Sequence, residues 1–519
     1  MSAFLESVQY GRWALSALLA IPLAGALVVA MGPPARAKTT ALLAALVELI
    51  VSLGLWWAYD PAGAAMQLTV DKPWISAGGW NIGYRLGLDG IALMMVLLTT
   101  VLLPLSVLGS WSEITTKERG FYASLLTLTT GMVGVFLATD LFLFYVLWEV
   151  MLIPMYFIIG IWGGKQRLYA AIKFFIYTMV GSLLMLVAIL YVYVAAGRAA
   201  GGAYSFALDH VMAHVGQLGA LPQLLLFGAF FLAFAIKVPM VPFHTWLPDA
   251  HTEAPTAGSV ILAGVLLKMG TFGFIRYAVP LFPGAAFHPV VSQVMVALAV
   301  IGIVYGALVA MVQPDFKRLI AYSSVSHLGF VMLGLWAATL QSTQGAFLVM
   351  INHGISTGAL FFLVGMIYER RHSRMIADFG GIARVVPAYA AVLTVVSLSS
   401  IGLPSTNGFV GEFLVLLGSW PARPVATAIA TTAVVFAAAY LLWALKRVLY
   451  GPLEQPENRA LTDLVPREYA VLVPLLALIV WLGLGPGPVL RRLEPSARAY
   501  VATVQGRTPA PGALSAVER

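Results

Sequence analysis

Six ionisable side chains stand inside strongly apolar stretches of this sequence, where leucine or valine is the ordinary choice. They are two glutamates, two lysines and two histidines: Glu149, Lys237, Lys268, His327, His353 and Glu412. A charged side chain at the middle of a bilayer costs about 2.5–3.5 kcal/mol even on lenient scales, so it must pair or face water. Burial favours the neutral forms of lysine and glutamate, and histidine exchanges its proton near neutral pH. The six residues therefore have the chemistry of a proton relay.

Some of these residues also have a purely structural interpretation. His327 is within reach of Ser323 or Ser324 as a hydrogen-bond partner, and Glu412 is placed where it could cap a helix end. A further lysine inside an apolar stretch, Lys173, is predicted to extend its charged end toward the membrane surface, as long cationic side chains commonly do.

Two stretches combine these residues with helix breakers. In "FAIKVPMVPFHTWLPDAH" (234–251), Pro239 and Pro242 follow Lys237, and in "SSIGLPSTNGFVGEF" (399–413), Pro404 precedes Glu412. Proline removes a backbone donor, and irregular backbone at membrane depth is tolerated only where it is buried or lines a wet cavity. Both stretches therefore predict broken membrane helices of the kind that build transport sites.

The spacing of the relay residues suggests an internal repeat. Lys237 and Glu412 are 175 positions apart, and Glu149 and His327 are 178 apart. We predict an all-α integral membrane protein of about fourteen helices that contains two inverted five-helix repeats, each with a broken helix. The predicted divisions are 1–115 (helices 1–3), 116–280 (helices 4–8), 285–450 (helices 9–13) and 451–519 (a final helix and a polar tail).

Composition sets the broad class. The chain has 519 residues, of which 60% are hydrophobic and 10% charged, and its mean hydropathy is +0.90. Soluble domains are nearer a quarter charged, so the sequence indicates an integral membrane protein. The first apolar span is too long for a signal peptide and is predicted to be a retained helix. Because the chain has no cysteine, it offers no thiolates for iron–sulfur clusters, and redox chemistry must occur on another chain.

The distribution of positive charge predicts the topology. Odd-numbered loops contain sixteen Lys and Arg residues and even-numbered loops only five. This bias places odd loops in the cytoplasm and both termini on the other side of a bacterial plasma membrane, and it excludes a nucleic-acid explanation for the formal charge of +8. The C-terminal segment runs against the bias because it contains five arginines: Arg491, Arg492, Arg498, Arg507 and Arg519.

Other motifs carry less weight. "GISTG" (354–358) resembles a nucleophile elbow but lies within a predicted membrane helix, where the required strand–turn–helix context is missing. "DAHTE" (249–253) offers metal ligands, but its place at the end of a broken helix favours helix termination or proton entry, and we predict no metal site. We take His244 and His251, which flank Pro248, as the candidates for proton entry. No glycine-rich nucleotide-binding motif is present.

The segment "KVPMVPFHTWLPDAHTEAPTAGSVILAGVLLKMGTFG" (237–273) resembles the signature of antiporter-like proton-translocating membrane subunits. These occur in respiratory complex I, in multi-subunit sodium/proton antiporters and in membrane-bound hydrogenases. The resemblance is densest between residues 120 and 450. It implies that Glu149 on the fifth helix pairs with Lys237 on the broken seventh helix, and that separating this pair releases a proton from the lysine.

The same resemblance implies a route for that proton. Lys268 continues a central polar axis, His327 and His353 carry the axis into the second half, and Glu412 matches the terminal residue from which the proton leaves. Glutamate at the terminal position, together with the short C-terminal segment, favours the M-type (chain-4) branch of the complex I proteins. Chains of the L and N type and the larger antiporter subunits typically have lysine there.

This branch implies particular partners. The chain is expected to contact other membrane subunits of complex I, especially neighbouring antiporter-like chains, and membrane lipids. It is expected to bind no cofactor itself, with FMN, iron–sulfur clusters and quinone on partner subunits, and the energy is expected to come from quinone reduction there. The alternatives are a subunit of a sodium/proton antiporter, a membrane subunit of an energy-converting hydrogenase, and a structural helper that has lost transport.

Overall fold

The computed structural model describes residues 2–77 and 80–506, and nearly all of this chain is helical. Thirteen helices of the described part are long and apolar enough to cross a membrane. We number the spans in chain order: α1 Tyr10–Met31, α2 Ala37–Ala58, α3 Gly90–Gly109, α4 Glu118–Leu137, α5 Leu141–Trp162, α6 Arg167–Ala199, α7 Ala220–Lys237, α8 Thr256–Leu281, α9 Pro289–Met311, α10 Phe316–Ala337, α11 Leu340–Arg371, α12 Pro387–Ile401 with Asn407–Ser419, α13 Pro424–Leu449 and α14 Pro466–Leu484.

This order confirms the prediction of about fourteen helices, with the twelfth span formed by two shorter apolar helices. One element was not predicted. The segment expected to be a polar tail continues after α14 as an amphipathic helix, α15 (Gly487–Val504), whose buried side chains recur at helical spacing. The rest of the predicted tail, residues 507–519, lies outside the described residues. The repeat boundaries stay a prediction.

The first predicted break interrupts α7 directly after Lys237. Residues 238–245 leave the helix, and a short helix, Trp246–Glu253, resumes it; the peptide bond before Pro242 is cis. The break frees backbone groups that must find new partners. Met240 N–H donates to the Ala235 carbonyl, and the Trp246 indole donates to the Ile236 carbonyl at 2.8 Å.

The second break divides α12 between Ile401 and Asn407. Gly402 has a φ of +88°, a left-handed conformation that glycine adopts without steric cost, and Pro404 follows it. Asn407 starts the second half and bonds to α11: its backbone carbonyl accepts from the Asn352 amide at 2.5 Å, and its side-chain oxygen accepts from the Ser356 hydroxyl at 3.1 Å. Both predicted breaks are therefore confirmed, and the second one is fixed to the helix that carries His353.

A two-stranded hairpin covers one end of the bundle. Strands β1 (Gln67–Ala77) and β2 (Trp80–Leu88) pair antiparallel in the loop between α2 and α3. The Trp80 ring stacks on Tyr193 with centroids 5.4 Å apart. The hairpin also donates from Gly83 N–H to Asp140 at 3.0 Å, which ties it to the start of α5.

Two aspartates with matched roles begin α5 and α10. Asp140 and Asp315 are 175 positions apart, and each accepts hydrogen bonds from the first turn of its helix. Each also forms an ion pair with an arginine, Asp140 with Arg85 and Asp315 with Arg374. A repeat with this offset would produce such a pair, so the aspartates support the predicted repeat without establishing its inverted topology.

We expect Asp140→Ala to destabilise the protein. The Asp140 side chain is fully buried and caps α5, so its loss removes a cap, typically about 1 kcal/mol, and a largely buried ion pair, whose disruption costs roughly 3–5 kcal/mol at most. Asp71→Ala is the matched control, because Asp71 binds the same Arg85 but its side chain is 71% exposed. Thermal unfolding in detergent should show a clearly lower midpoint for Asp140→Ala only; equal midpoints would contradict the structural role of Asp140.

Candidate functional site

All six predicted relay residues lie on membrane-spanning helices near the breaks. Four of them form a continuous row that crosses from the first half of the chain to the second. Lys268 Nζ lies 2.6 Å from His353 Nδ1, and His327 Nδ1 lies 2.6 Å from Glu412 Oε1. The His327 and His353 rings are 5.6 Å apart between centroids and join the two bonded pairs. In space the side chains follow the order Lys268, His353, His327 and Glu412, and their role in proton transfer stays a prediction.

The helix that carries Lys268 is locally widened. Two π-helical turns, Leu262–Leu266 and Phe274–Ala278, flank the residue, and such turns are frequent at functional sites. Lys268 is fully buried, and its ammonium donates to the Ala263 carbonyl as well as to His353. The widening thus brings a backbone carbonyl toward the lysine, which has no carboxylate within ion-pair distance in the described chain.

A small polar cavity lies at the junction of the row. Its volume is about 20 Å³, and it is lined by His327, His353, Asn352, Ser356 and Glu412 among others. A single water needs roughly 10–15 Å³ and two to four polar partners. The Nε2 atoms of His327 and His353 are buried without protein partners, so they are available to such a water. A water in this cavity can therefore bridge the two imidazoles, whose ring centroids are 5.6 Å apart.

Glu149 and Lys237 are neighbours but not a salt bridge, which corrects the expectation of a direct pair. The Lys237 ammonium contacts the Met151 sulfur at 3.4 Å and lies over the rings of Trp148 and Phe174, at 5.4 and 5.3 Å from their centroids. Aromatic faces attract cations, which explains how the lysine is accommodated without a carboxylate contact. One Glu149 oxygen is buried with no partner.

His244 and His251 lie on the broken part of α7, as expected for entry candidates. His251 is fully buried, stacks on Phe361 with centroids 4.6 Å apart, and has no hydrogen-bond partner at either ring nitrogen. It lies within electrostatic range of both Lys268 and Lys317. His244 packs edge-on against Tyr305 at 5.2 Å. Their role in proton entry stays a prediction.

Three further ionisable residues lie near these helices, and two of them, Lys317 and Glu48, were missed in the sequence. Lys317 looks like a loop residue in "QPDFKRL", yet it is buried, and its ammonium donates to the Ala254 carbonyl at 2.7 Å within range of Glu113. Lys173 forms a 2.7 Å ion pair with Asp249, and both side chains are partly exposed, so its extension toward the membrane surface stays a prediction. Glu48 is fully buried in α2, and its carboxylate has no hydrogen-bond partner among the described residues. Its position in the apolar run "LVELIV" already indicates an ionisable residue inside a membrane span.

A wide cavity opens at the end of the bundle where the odd-numbered loops lie. Its volume is about 890 Å³, and Glu253, Asp315, His372 and Arg374 line it. Three of these residues, Glu253, Asp315 and Arg374, also lie within electrostatic range of the buried Lys317. In the described part of the chain, no group of three or more His, Asp or Glu side chains is placed to hold a metal ion.

Comparison with known proteins gives consistent matches. Residues 138–437 match the family described as NADH:quinone oxidoreductase/Mrp antiporter, TM. NADH-quinone oxidoreductase subunit M of Rhodobacter capsulatus is 45% identical over 493 residues, covering 93% of this chain and 95% of that protein. A chain of respiratory complex I from Thermus thermophilus superposes with a TM-score of 0.85 at 30% identity, covering 94% of this chain and 99% of that one. A chain of the Mrp complex from Dietzia sp. DQ12-45-1b gives 0.82 at 19% identity, covering 95% and 99%, which shows a shared fold.

The His327–Glu412 contact can be tested by a double-mutant cycle. His327→Leu leaves the partly buried Glu412 carboxyl without its partner, so we expect a clear loss of stability. The double variant His327→Leu/Glu412→Leu should recover part of that loss, with an interaction energy of about 0.5–3 kcal/mol. Unfolding in detergent is measured for the unchanged protein, the single variants His327→Leu and Glu412→Leu and the double variant, with His288→Leu, at an exposed histidine before α9, as the control. Strictly additive effects would show that the two residues do not interact.

Proposed function

We propose that this chain, which belongs to the NADH:quinone oxidoreductase/Mrp antiporter transmembrane family, is the M-type proton-translocating subunit of an NADH:quinone oxidoreductase. The row of Lys268, His353, His327 and Glu412 carries this proposal, because it places four groups that can exchange protons next to one another on membrane-spanning helices. Identity of 45% to a subunit M over nearly the whole chain supports the M-type assignment. Glutamate rather than lysine at position 412 agrees with it.

In the proposed mechanism, the distance between Glu149 and Lys237 controls the proton on the lysine. An ionised carboxylate close to the ammonium keeps Lys237 protonated, whereas withdrawal of the carboxylate in an apolar site favours the neutral amine. The proton then passes to Lys268, His353, His327 and finally Glu412. The observed contacts of Lys237 with a sulfur and two aromatic rings correspond to the separated arrangement, in which release is favoured.

The driving energy in this proposal comes from outside the chain. We assign FMN, iron–sulfur clusters and quinone to partner subunits, because a chain without cysteine offers no thiolates for clusters. Neighbouring antiporter-like subunits in the bacterial plasma membrane would be its direct contacts. The charge bias places the 890 Å³ cavity on the cytoplasmic side, so we propose that protons enter there and pass His251 on the way to the row.

The rival functions share this geometry. A subunit of a sodium/proton antiporter or of a membrane-bound hydrogenase would contain a similar fold, as the Mrp chain does at 19% identity. The rivals differ in what supplies the energy, so the composition of the native assembly distinguishes them.

Purification from the native membrane in mild detergent, followed by mass spectrometry, is the first test. We expect flavin-binding and iron–sulfur subunits to co-purify, together with NADH:quinone activity. Recovery of the chain with membrane subunits alone would favour a secondary antiporter. Recovery with a nickel–iron protein would favour a hydrogenase, and either result would overturn the redox-driven mechanism.

We expect Lys237→Ala to abolish pumping in an otherwise assembled complex. The variant removes the group that gives its proton to the row, so NADH-driven acidification of inverted vesicles should fall by about tenfold or more. Lys72→Ala, on the exposed hairpin, is the control and should pump normally. A correctly assembled Lys237→Ala complex with full proton stoichiometry would contradict the mechanism.

A further inference from the structure

An apolar groove lies between α2, α3, α11 and α14, away from the proton row. Its volume is about 320 Å³, within the usual range of roughly 300–1,000 Å³ for ligand pockets. Val101 of α3 and Ile355 of α11 lie along its deep part, at mid-membrane, while Trp56, Trp57 and Trp481 stand near its outer end. Tryptophan is enriched where a membrane meets water, so the groove runs from the headgroup level into the hydrocarbon core.

Arg492 of α15 stands at the outer end of this groove, and Arg491 lies next to it on the rim of a neighbouring cavity. The Arg492 guanidinium lies 3.7 Å from the centroid of the Trp56 ring and donates to the Trp56 carbonyl at 3.0 Å and to the Pro488 carbonyl at 3.1 Å. Its Nε is buried without a partner. Burial and the adjacent Arg491 lower the pKa of Arg492, which indicates two positive charges placed close together.

Within the described residues, neither Arg491 nor Arg492 forms an ion pair with a carboxylate, and Asp89, which lies near Tyr59 beside Arg492, is already paired with Arg276. The acidic residue of the same helix, Glu494, is already paired with Arg498 at 2.5 Å. The groove opens at the side of the even-numbered loops, where the charge bias leaves arginines unexplained. Uncompensated guanidinium groups beside an apolar groove at headgroup level are complementary to a lipid phosphate, which arginine binds by charge-assisted hydrogen bonds.

We infer that this groove binds an anionic phospholipid, with one acyl chain between α3 and α11 and the phosphate at Arg491 and Arg492. The charge complementarity favours a lipid over a neighbouring protein chain as the occupant. The acyl chain would contact the wall directly behind the row, because Ile355 is two residues from His353 on α11, and Leu98 of α3 packs against Gly354. Lipid binding in this groove does not depend on whether quinone reduction or an ion gradient supplies the energy for proton transfer along the row.

The test uses the intact complex purified from native membranes and reconstituted with phosphatidylglycerol that carries a diazirine in one acyl chain. After illumination, peptides of α3 and α11 that line the groove should carry the lipid label. Arg491→Gln/Arg492→Gln should reduce this labelling about tenfold, as expected for the loss of roughly one charge-assisted hydrogen bond. Val101→Phe fills the groove and should reduce it as well.

Two controls separate the groove from general lipid contact. Val187→Phe makes the same change on α6 at a side chain that is 65% exposed, and Arg198→Gln removes an exposed charge from the end of α6. Both should leave groove labelling unchanged. If Val101→Phe fails to assemble, the arginine variant decides the outcome. Labelling that is absent from the groove, that is unaffected by loss of both arginines, or that is excluded by a neighbouring protein chain cross-linked to α3 would overturn the proposal.

Discussion

The cost of an ionisable group in a low-dielectric medium is the constraint on which the rest of this structure depends. Each member of the row needs a partner, because a single buried charge would cost several kcal/mol. The chain meets this need by bonding Lys268 to His353 and His327 to Glu412, both at 2.6 Å. The π-turns of α8 and the break of α12 then follow as the backbone distortions that bring these partners into contact. The bonded pairs and the irregular helices thus both serve to lower the cost of placing ionisable side chains inside the membrane.

The row is not an uninterrupted chain of hydrogen bonds. Each bonded pair can hold one shared proton, but the two pairs are separated by 5.6 Å between the imidazole rings. Transfer between the pairs needs either a bridging water in the small cavity or a rotation of a histidine. A pathway that is complete except at one junction can be closed or opened by small movements of α10 against α11. Such a junction is where a distant energy source could act without moving whole helices.

Features that depend on contiguous residues were predictable from the sequence. Apolar runs fixed the spans, and the prolines beside Lys237 and the Gly402–Pro404 segment fixed the breaks. Contacts that depend on packing between distant segments were not predictable. Lys317 is buried only because α10 starts beneath the end of the broken α7, and Lys237 meets aromatic rings from α5 and α6 rather than Glu149. The charge count showed that arginines are unusually frequent near the C-terminus, but it did not predict the helix α15 that carries several of them.

The two breaks present opposite ends of helices to the proton route, and this has an energetic consequence. Lys237 is the last residue of the first half of α7, where the helix dipole favours a cation. Glu412 lies in the second turn after the start of the second half of α12, where the dipole favours a carboxylate, though more weakly. Moving a proton from Lys237 to Glu412 removes the favoured cation and neutralises the favoured anion. The helix dipoles therefore favour the state in which Lys237 is protonated and Glu412 is ionised, which is the state ready for the next proton transfer.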